Sequence, residues 1–277
     1  MGQPVPRLDG WAKVTGRAAY AYDIHLPGML YARVLRSPLP HARLRRIDTS
    51  RAEALPGGYA VLSAANAPAI RWYQQSYLFD RTLRFVGDEV AAVAAESIDL
   101  AEDALRLIDV EYEPLPFVVD LEAATRPGAP HVWEGGNIAA EPRVYQRGDP
   151  AGGLERADHV VDVIYTTQAA LHNCLEPHGC TATWDDDELT LWDSTQSVFG
   201  VRRGVADALG LPEHRVRVIS EYMGGGFGSK QVAWKHKVIA ALLARRARRP
   251  VQLMLDREAE NLAVGHRNPT RQHVRLG

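Results

Sequence analysis

Four glycines crowd five positions in the stretch Glu221-Tyr222-Met223-Gly224-Gly225-Gly226-Phe227-Gly228-Ser229-Lys230-Gln231. Glycine lets the backbone take positive φ and approach a ligand closely, so phosphate binding is the first chemistry to test. A Walker-type loop ends in Gly-Lys-Ser/Thr, whereas here Ser229 precedes Lys230 and Gln231 follows. The dinucleotide pattern G-x-G-x-x-G fails too: its third glycine falls on Ser229 counted from Gly224 and on Gln231 counted from Gly226. Two readings stay open. One is a tight strand-to-helix turn; the other is a backbone-lined site whose amides, at a helix N-terminus, favour anionic or oxo ligands.

The stretch from His172 to Cys180 is the densest set of metal-ligating types. On an ideal strand His172, Cys174, Glu176, His178 and Cys180 share one face, which suggests zinc. Against zinc, structural sites draw on paired short-spaced knuckles, one strand spreads its ligands along the axis, and Pro177 interrupts a regular central strand. The competing reading is a set of buried polar residues that fix a neighbouring loop. His172 and Glu176 also have the types for acid/base work. Gln196, in the corner Ser194-Thr195-Gln196, is a neutral amide donor suited to an oxo or carbonyl group, or to stabilising a turn. The acidic run Asp185 to Glu188 lacks the glycine and distal glutamate of an EF-hand and reads as a solvated turn. Neither G-x-S-x-G nor H-E-x-x-H occurs.

Certain elements must position these residues. Arg215 to Ser220 reads as a strand entering the glycine loop. An apolar stripe through Val232, Trp234, Val238, Ile239, Leu242 and Leu243 predicts a helix leaving it, stopped by Pro250. Thr181 to Trp184 and Leu189 to Trp192 predict a hairpin around the acidic run, and Val198 to Leu209 a helix ended by Gly210. Upstream, strands are expected at Leu30 to Leu35, Tyr59 to Leu62 and Glu89 to Ala95. A helix capped by Asp99 with Glu102 follows, then a strand at Ile108 to Tyr112, a β-α-β unit within a mixed sheet. Residues 126–153, rich in Pro and Gly, read as a linker, and a further strand opens at Val160.

Length and charge narrow the function. A chain of 277 residues with 46% apolar composition can bury a core in two domains. A net charge of −2 leaves no electrostatic footprint for nucleic acid or an anionic membrane, and no apolar run approaches the ~20 residues that span a bilayer. The cluster Arg245-Arg246-Ala247-Arg248-Arg249 reads as a solvated helix end. The start shows neither a signal-peptide h-region nor a myristoylation motif, and two cysteines suit a reducing compartment. The expected location is the cytoplasm, or the periplasm by co-export with a partner.

Taken in order, His172-Asn173, Glu176-Pro177-His178, Ser194-Thr195-Gln196, Leu209-Gly210-Leu211-Pro212-Glu213, Gly224-Gly225-Gly226-Phe227-Gly228, Arg249-Pro250-Val251 and Asp256-Arg257-Glu258 form a pattern. It resembles the molybdenum-binding subunit of the xanthine dehydrogenase and aldehyde oxidase family. Lys13-Val14-Thr15-Gly16, Leu26-Pro27-Gly28-Met29-Leu30, Ser37-Pro38 and Val86-Gly87-Asp88-Glu89 resemble the a/b hammerhead domain that precedes the cofactor domains there. The ending, Gly265-His266-Arg267 and Gln272 to Gly277, looks closest to the bacterial aldehyde oxidoreductase branch.

This resemblance implies an α+β fold: an extended arm over 1–13, the hammerhead domain over 14–124, a linker over 125–153 and an incomplete first molybdopterin-binding domain over 154–277. It implies molybdenum carried by molybdopterin cytosine dinucleotide or a shorter form. The expected reaction is hydroxylation of aldehydes or N-heterocycles with oxygen from water, electrons passing to 2Fe-2S and FAD on partner subunits. Gln196 matches the glutamine that hydrogen-bonds the apical oxo ligand. Gly225, Gly226, Phe227 and Gly228 match the loop beside the metal, so Gln196 and Phe227 form the molybdenum environment. Gln231 stands where purine-oxidising members carry a substrate-binding glutamate, which favours aldehydes over xanthine. Cys174 and Cys180 match no ligand of the family. The general-base glutamate is expected beyond Gly277, so no catalytic residue is assigned here. The chain reads as a truncated product, a fragment, or half of a split subunit completed by a C-terminal half. The alternative is a non-catalytic interaction module that keeps the fold without cofactor.

Overall fold

The computed structural model describes residues 2–73 and 76–277. The strands are β1 (Leu30–Arg36), β2 (Ala42–Asp48), β3 (Gly58–Ser63), β4 (Thr82–Leu83), β5 (Glu89–Ala95), β6 (Asp109–Pro114), β7 (Val161–Thr167), β8 (Gly179–Asp185), β9 (Glu188–Asp193), β10 (Val216–Ile219), β11 (Val251–Met254) and β12 (Thr270–Leu276). The helices are α1 (Gly10–Val14), α2 (Ser50–Glu53), α3 (Ile98–Arg106), α4 (Leu121–Ala124), α5 (Pro150–Glu155), α6 (Val198–Leu209), α7 (Lys235–Ala247) and α8 (Arg257–Ala263). The α+β class expected from the sequence is the class observed.

Two compact units divide the chain. The larger comprises residues 1–115 and 172–265, the smaller 116–171 and 266–277. In the larger, a seven-stranded sheet runs β10-β9-β8-β11-β1-β5-β3, and a three-stranded sheet runs β4-β2-β6. The seven-stranded sheet joins the two halves of the sequence through a parallel pairing of Leu30 with Val251 and Tyr31 with Gln252. Expectation and structure differ at the β5-α3-β6 segment. β5 lies in the larger sheet and β6 pairs with β2 in the smaller, so the segment crosses between sheets rather than closing a β-α-β unit in one. The cap of α3 is Ser97, whose Oγ accepts from Leu100 N at 3.1 Å, and not Asp99. Strands β2, β4, β11 and β12 are not among those read from the sequence. β2 carries Arg43, Arg45 and Arg46, and its charge masks the alternation.

The core follows β-branched and alanine-rich strands: every residue of β5 is buried. It packs against α7, whose Val238, Ile239, Leu243 and neighbouring alanines are buried. Helix α7 starts at Lys235, three residues after the stripe begins at Val232, because Ser229–Gln231 form a separate short 3-10 turn. Its first turn buries Lys235, His236 and Lys237, an arrangement the helix dipole disfavours and buried carboxylates compensate. Lys235 Nζ lies 3.0 Å from both Asp88 and Glu89, and Lys237 Nζ lies 2.6 Å from Asp193 Oδ1. The motif Val86-Gly87-Asp88-Glu89 therefore anchors this helix.

The β8–β9 hairpin turns at Asp186 with φ 50°. Arg245 and Arg215 face Asp187 at 3.1 and 3.7 Å, and Arg245 stacks on Trp184, so the acidic turn is partnered by arginine. In the smaller unit β7 and β12 pair antiparallel from Val161 with Leu276 to Thr167 with Thr270. Residues 125–149 hold neither helix nor strand. Asn137 organises this segment: its Nδ2 donates to Ala124 and Pro130 carbonyls at 3.0 and 2.9 Å, and its Oδ1 accepts from Val132 N at 3.0 Å. Among the described residues no helix is long and apolar enough to cross a membrane.

Candidate functional site

Strand β10 delivers the glycine loop and β9 delivers the Ser194-Thr195-Gln196 corner, and the parallel β9–β10 pairing places the two side by side. The corner is tied to the loop by backbone. Gln196 N and Thr195 Oγ1 both donate to the Lys230 carbonyl, at 2.9 and 2.8 Å. Ser197 then caps α6, accepting from Gly200 N at 3.3 Å, so the corner sits on a helix start.

The Gln196 side chain bends over the loop. Its Oε1 accepts from Gly228 N at 2.9 Å and from Lys230 N at 3.4 Å. Two donors facing one atom fix the orientation of the carboxamide, so its NH2 group points elsewhere as a free donor. This packing requires glycine at 226, where a Cβ would overlap Gln196 Oε1. Among the described residues, the amides of Gly225, Gly226 and Phe227 have no partner within the chain. Phe227 itself takes φ 48° and is 76% exposed, a left-handed conformation that a bulky residue adopts at a cost of about 1–2 kcal/mol.

Beneath the loop is a buried polar knot. Lys230, fully buried, donates to the Glu176 carbonyl at 2.7 Å and to Ser194 Oγ at 2.6 Å, and lies 3.4 Å from Glu176 Oε2. The same Oε2 accepts from Gly224 N at 2.7 Å and Ser194 Oγ at 2.8 Å. Burial pushes the Lys230 ammonium below its ordinary value, opposed by the neighbouring Glu176. Lys230, Glu176 and Ser194 are functional in holding the loop, and sequence reasoning missed that role. The signal available was a lysine directly after a glycine loop that fits no phosphate pattern.

The zinc reading at 172–180 needs correction. Cys180 lies fully buried on β8, where burial pushes its thiol up, and Glu176 is committed to Lys230. They do not join His172. Instead Glu260 of α8 reaches into this region, with Oε1 3.4 Å from His172 Nδ1 and 3.3 Å from His178 Nδ1. Acid/base work by the pair His172 and Glu176 finds no support in this arrangement. Gln231 is exposed and lines an open groove of about 640 Å³ with Trp72, Tyr73, Val232 and Trp234; Gln74 and Gln75 lie outside the described residues.

Residues 132–277 match the molybdopterin cofactor-binding domain, and residues 15–116 match the aldehyde oxidase and xanthine dehydrogenase a/b hammerhead domain. The chain belongs to the xanthine dehydrogenase and aldehyde oxidase family. It is 35% identical to a probable xanthine dehydrogenase protein of Bacillus subtilis, over 98% of this chain and 37% of that protein. It is 34% identical to the aldehyde oxidoreductase molybdenum-binding subunit PaoC of Escherichia coli, over all of this chain and 38% of that protein. Among solved structures, quinoline 2-oxidoreductase from Pseudomonas putida 86 superposes with a TM-score of 0.90 at 32% identity, covering 99% of this chain and 37% of that one. The chain thus spans less than two fifths of the length of these relatives.

The residues present suit the family's cofactor. Among the described residues the amides of Gly225, Gly226 and Phe227 and the Gln196 NH2 group are donors without a partner in the chain, a set of groups that suits oxo and pterin acceptor atoms rather than cations. The missing side chains at Gly224 and Gly226 make room for Glu176 and Gln196, and only Gly228 leaves open space beside the loop.

Proposed function

We propose that this chain forms the N-terminal part of a molybdenum hydroxylase large subunit, with a hammerhead domain over 14–124, a linker over 125–153 and the first cofactor domain from 154. The observation that carries the proposal is the pinned Gln196 carboxamide beside the free amides of Gly225, Gly226 and Phe227. When bound, the molybdopterin cytosine dinucleotide supplies the two-electron chemistry that inserts water-derived oxygen into an aldehyde or N-heterocycle. The chain's residues position it. Gln196 would donate its NH2 to an acceptor of the bound group, the loop amides would line the adjacent wall, and the Lys230–Glu176 knot holds both in place. Phe227, exposed on the loop, would border the bound group.

Gln231 is the substrate-facing residue. A neutral carboxamide in a groove walled by Trp72, Tyr73 and Trp234 suits a flat aromatic aldehyde better than a purine that wants a carboxylate partner. Electrons pass to 2Fe-2S and FAD on partner subunits, and a C-terminal half supplies the general-base glutamate. The assembly works in the cytoplasm, or in the periplasm when co-exported with a partner. Replacing Gln196 by Leu in the assembled enzyme tests the reading. Molybdenum content and aldehyde turnover should fall about 10–100-fold, as for a lost outer-sphere partner. An intact assembly that contains no molybdenum sinks the proposal and leaves the interaction-module reading.

A further inference from the structure

We infer that His172, Cys174 and Glu260 form a site for a divalent transition-metal ion of the zinc class, beneath the glycine loop. Glu260, 82 residues beyond His178 in sequence and fully buried, is brought in by α8, whose start is capped by Asp256 Oδ1 accepting from Ala259 N at 2.7 Å. One ligand atom from each of the three residues falls within 4.8 Å of the others. His172 Nδ1 lies 3.8 Å from Cys174 Sγ and 3.4 Å from Glu260 Oε1.

The 3.4 and 3.8 Å separations match two edges of a coordination polyhedron, and the Cys174–Glu260 edge, within 4.8 Å, would close toward that length around an ion. Bonds of about 2.0–2.3 Å at tetrahedral angles put neighbouring ligand atoms roughly 3.3–3.8 Å apart. The remaining groups point the same way. Glu260 Oε1 is buried with no hydrogen-bond partner, although Arg257 Nη1 lies 3.8 Å away. Among the described residues His178, fully buried beside it, has neither ring nitrogen in a well-aligned hydrogen bond, its Nδ1 lying 3.3 Å from Glu260 Oε1, while its backbone N donates to Glu260 Oε2 at 2.7 Å. A carboxylate with one oxygen held by a backbone amide and the other facing two imidazole nitrogens without an aligned hydrogen bond is oriented for a cation. Three protein ligands leave a fourth position for water or for the His178 imidazole. A thiolate, an imidazole and a carboxylate together select zinc or cobalt over magnesium or calcium.

The site touches the loop. Cys174 Sγ is 4.0 Å from Ser229 Oγ, and a Cβ on Gly225 would stand 3.5 Å from Cys174 Cβ. A bound ion would brace the glycine loop at Gly225 and Ser229, as Lys230 and Glu176 do at Gly224.

The test uses the purified 277-residue chain, stripped with chelator and titrated with Co²⁺, an ion whose thiolate charge-transfer band reports sulfur ligation. The expected result is one equivalent bound with that band present. Cys174→Ser should lose the band and weaken binding about tenfold or more, Glu260→Gln should weaken binding by a similar factor, and Cys180→Ser should change neither. Absence of stoichiometric binding, or a band that survives Cys174→Ser, overturns the inference. Should Glu260→Gln fail to fold, the near-isosteric Cys174→Ser carries the decision alone. Molybdenum plays no part in this readout, so its outcome is independent of the proposed function.

Discussion

The ammonium of Lys230 and the carboxylate of Glu176, 54 residues apart in sequence, meet at 3.4 Å under the glycine loop with both residues buried. Through them Gly224, Ser194 and the Glu176 carbonyl are joined in one network, and the Lys230 backbone binds Gln196 on its other side. One lysine thus fixes the two segments that make the candidate site.

Removing that lysine should be severe. Lys230→Met leaves the Glu176 carboxylate buried without its cation and should destabilise the chain by about 3–5 kcal/mol. Denaturant unfolding measures it, and the double variant with Glu176→Gln should recover part of the loss. A double variant whose loss equals the sum of the two single losses would show that the pair is uncoupled.

Gly226→Ala should injure the site more than the fold. The added methyl overlaps Gln196 Oε1, so either the carboxamide or the loop must shift. The expected overpacking is about 1–3 kcal/mol, together with lost molybdenum retention in the assembled enzyme. Metal content per chain, compared with that of Gly153→Ala in open space, is the measurement.

Gln231→Glu is expected to shift substrate preference. Residue 231 is exposed in the aromatic groove and bears no load in the core, so stability should change by less than about 0.5 kcal/mol. The ratio of kcat/KM for a purine to that for an aromatic aldehyde should rise about tenfold or more. An unchanged ratio would remove Gln231 from the substrate-facing surface.

Alkaline stability should depend on Lys235. Burial disfavours its charge, but Glu89 and Asp88 at 3.0 Å outweigh burial and hold the ammonium above its ordinary value of 10.5. The raised value means that the folded chain keeps its proton longer than the unfolded chain. The stabilisation is complete below about pH 10.5 and declines as pH rises from there through the folded value. Thermal melting between pH 9 and pH 12 should show this decline, and Lys235→Met should start lower and lack that component of the slope.

Cys180 should resist alkylation until the chain unfolds. Its thiol is fully buried and pushed up, first by burial and then by Asp193, so thiolate is scarce as well as inaccessible. Mass analysis after iodoacetamide treatment of native and urea-unfolded protein should show modification at Cys180 only in the latter.

Local chemistry was legible along the chain. The hairpin around Asp186, the helix from Val198 to Gly210 and the strand into the glycine loop follow from periodicity, caps and turn residues that act within a few positions. The ordered motifs around Gln196 and Gly224 to Gly228 sufficed for the family as well, because they follow one another in sequence. What lay beyond reach were partnerships closed by tertiary contact. Nothing near Lys230 announces Glu176, nothing near His172 announces Glu260, and the pairing of Leu30 with Val251 joins strands more than 200 residues apart. A strand reading placed His172 to Cys180 on one face; in the fold Asn173 takes φ 43°, and each polar side chain goes to whichever buried counter-group its segment meets. The sequence by itself determined the elements that flank the site and the glycine wall, since propensity and steric freedom are local. Only the tertiary structure decided which charges are paired beneath that wall, since the low dielectric of the interior makes each buried charge depend on a partner that chain order does not reveal.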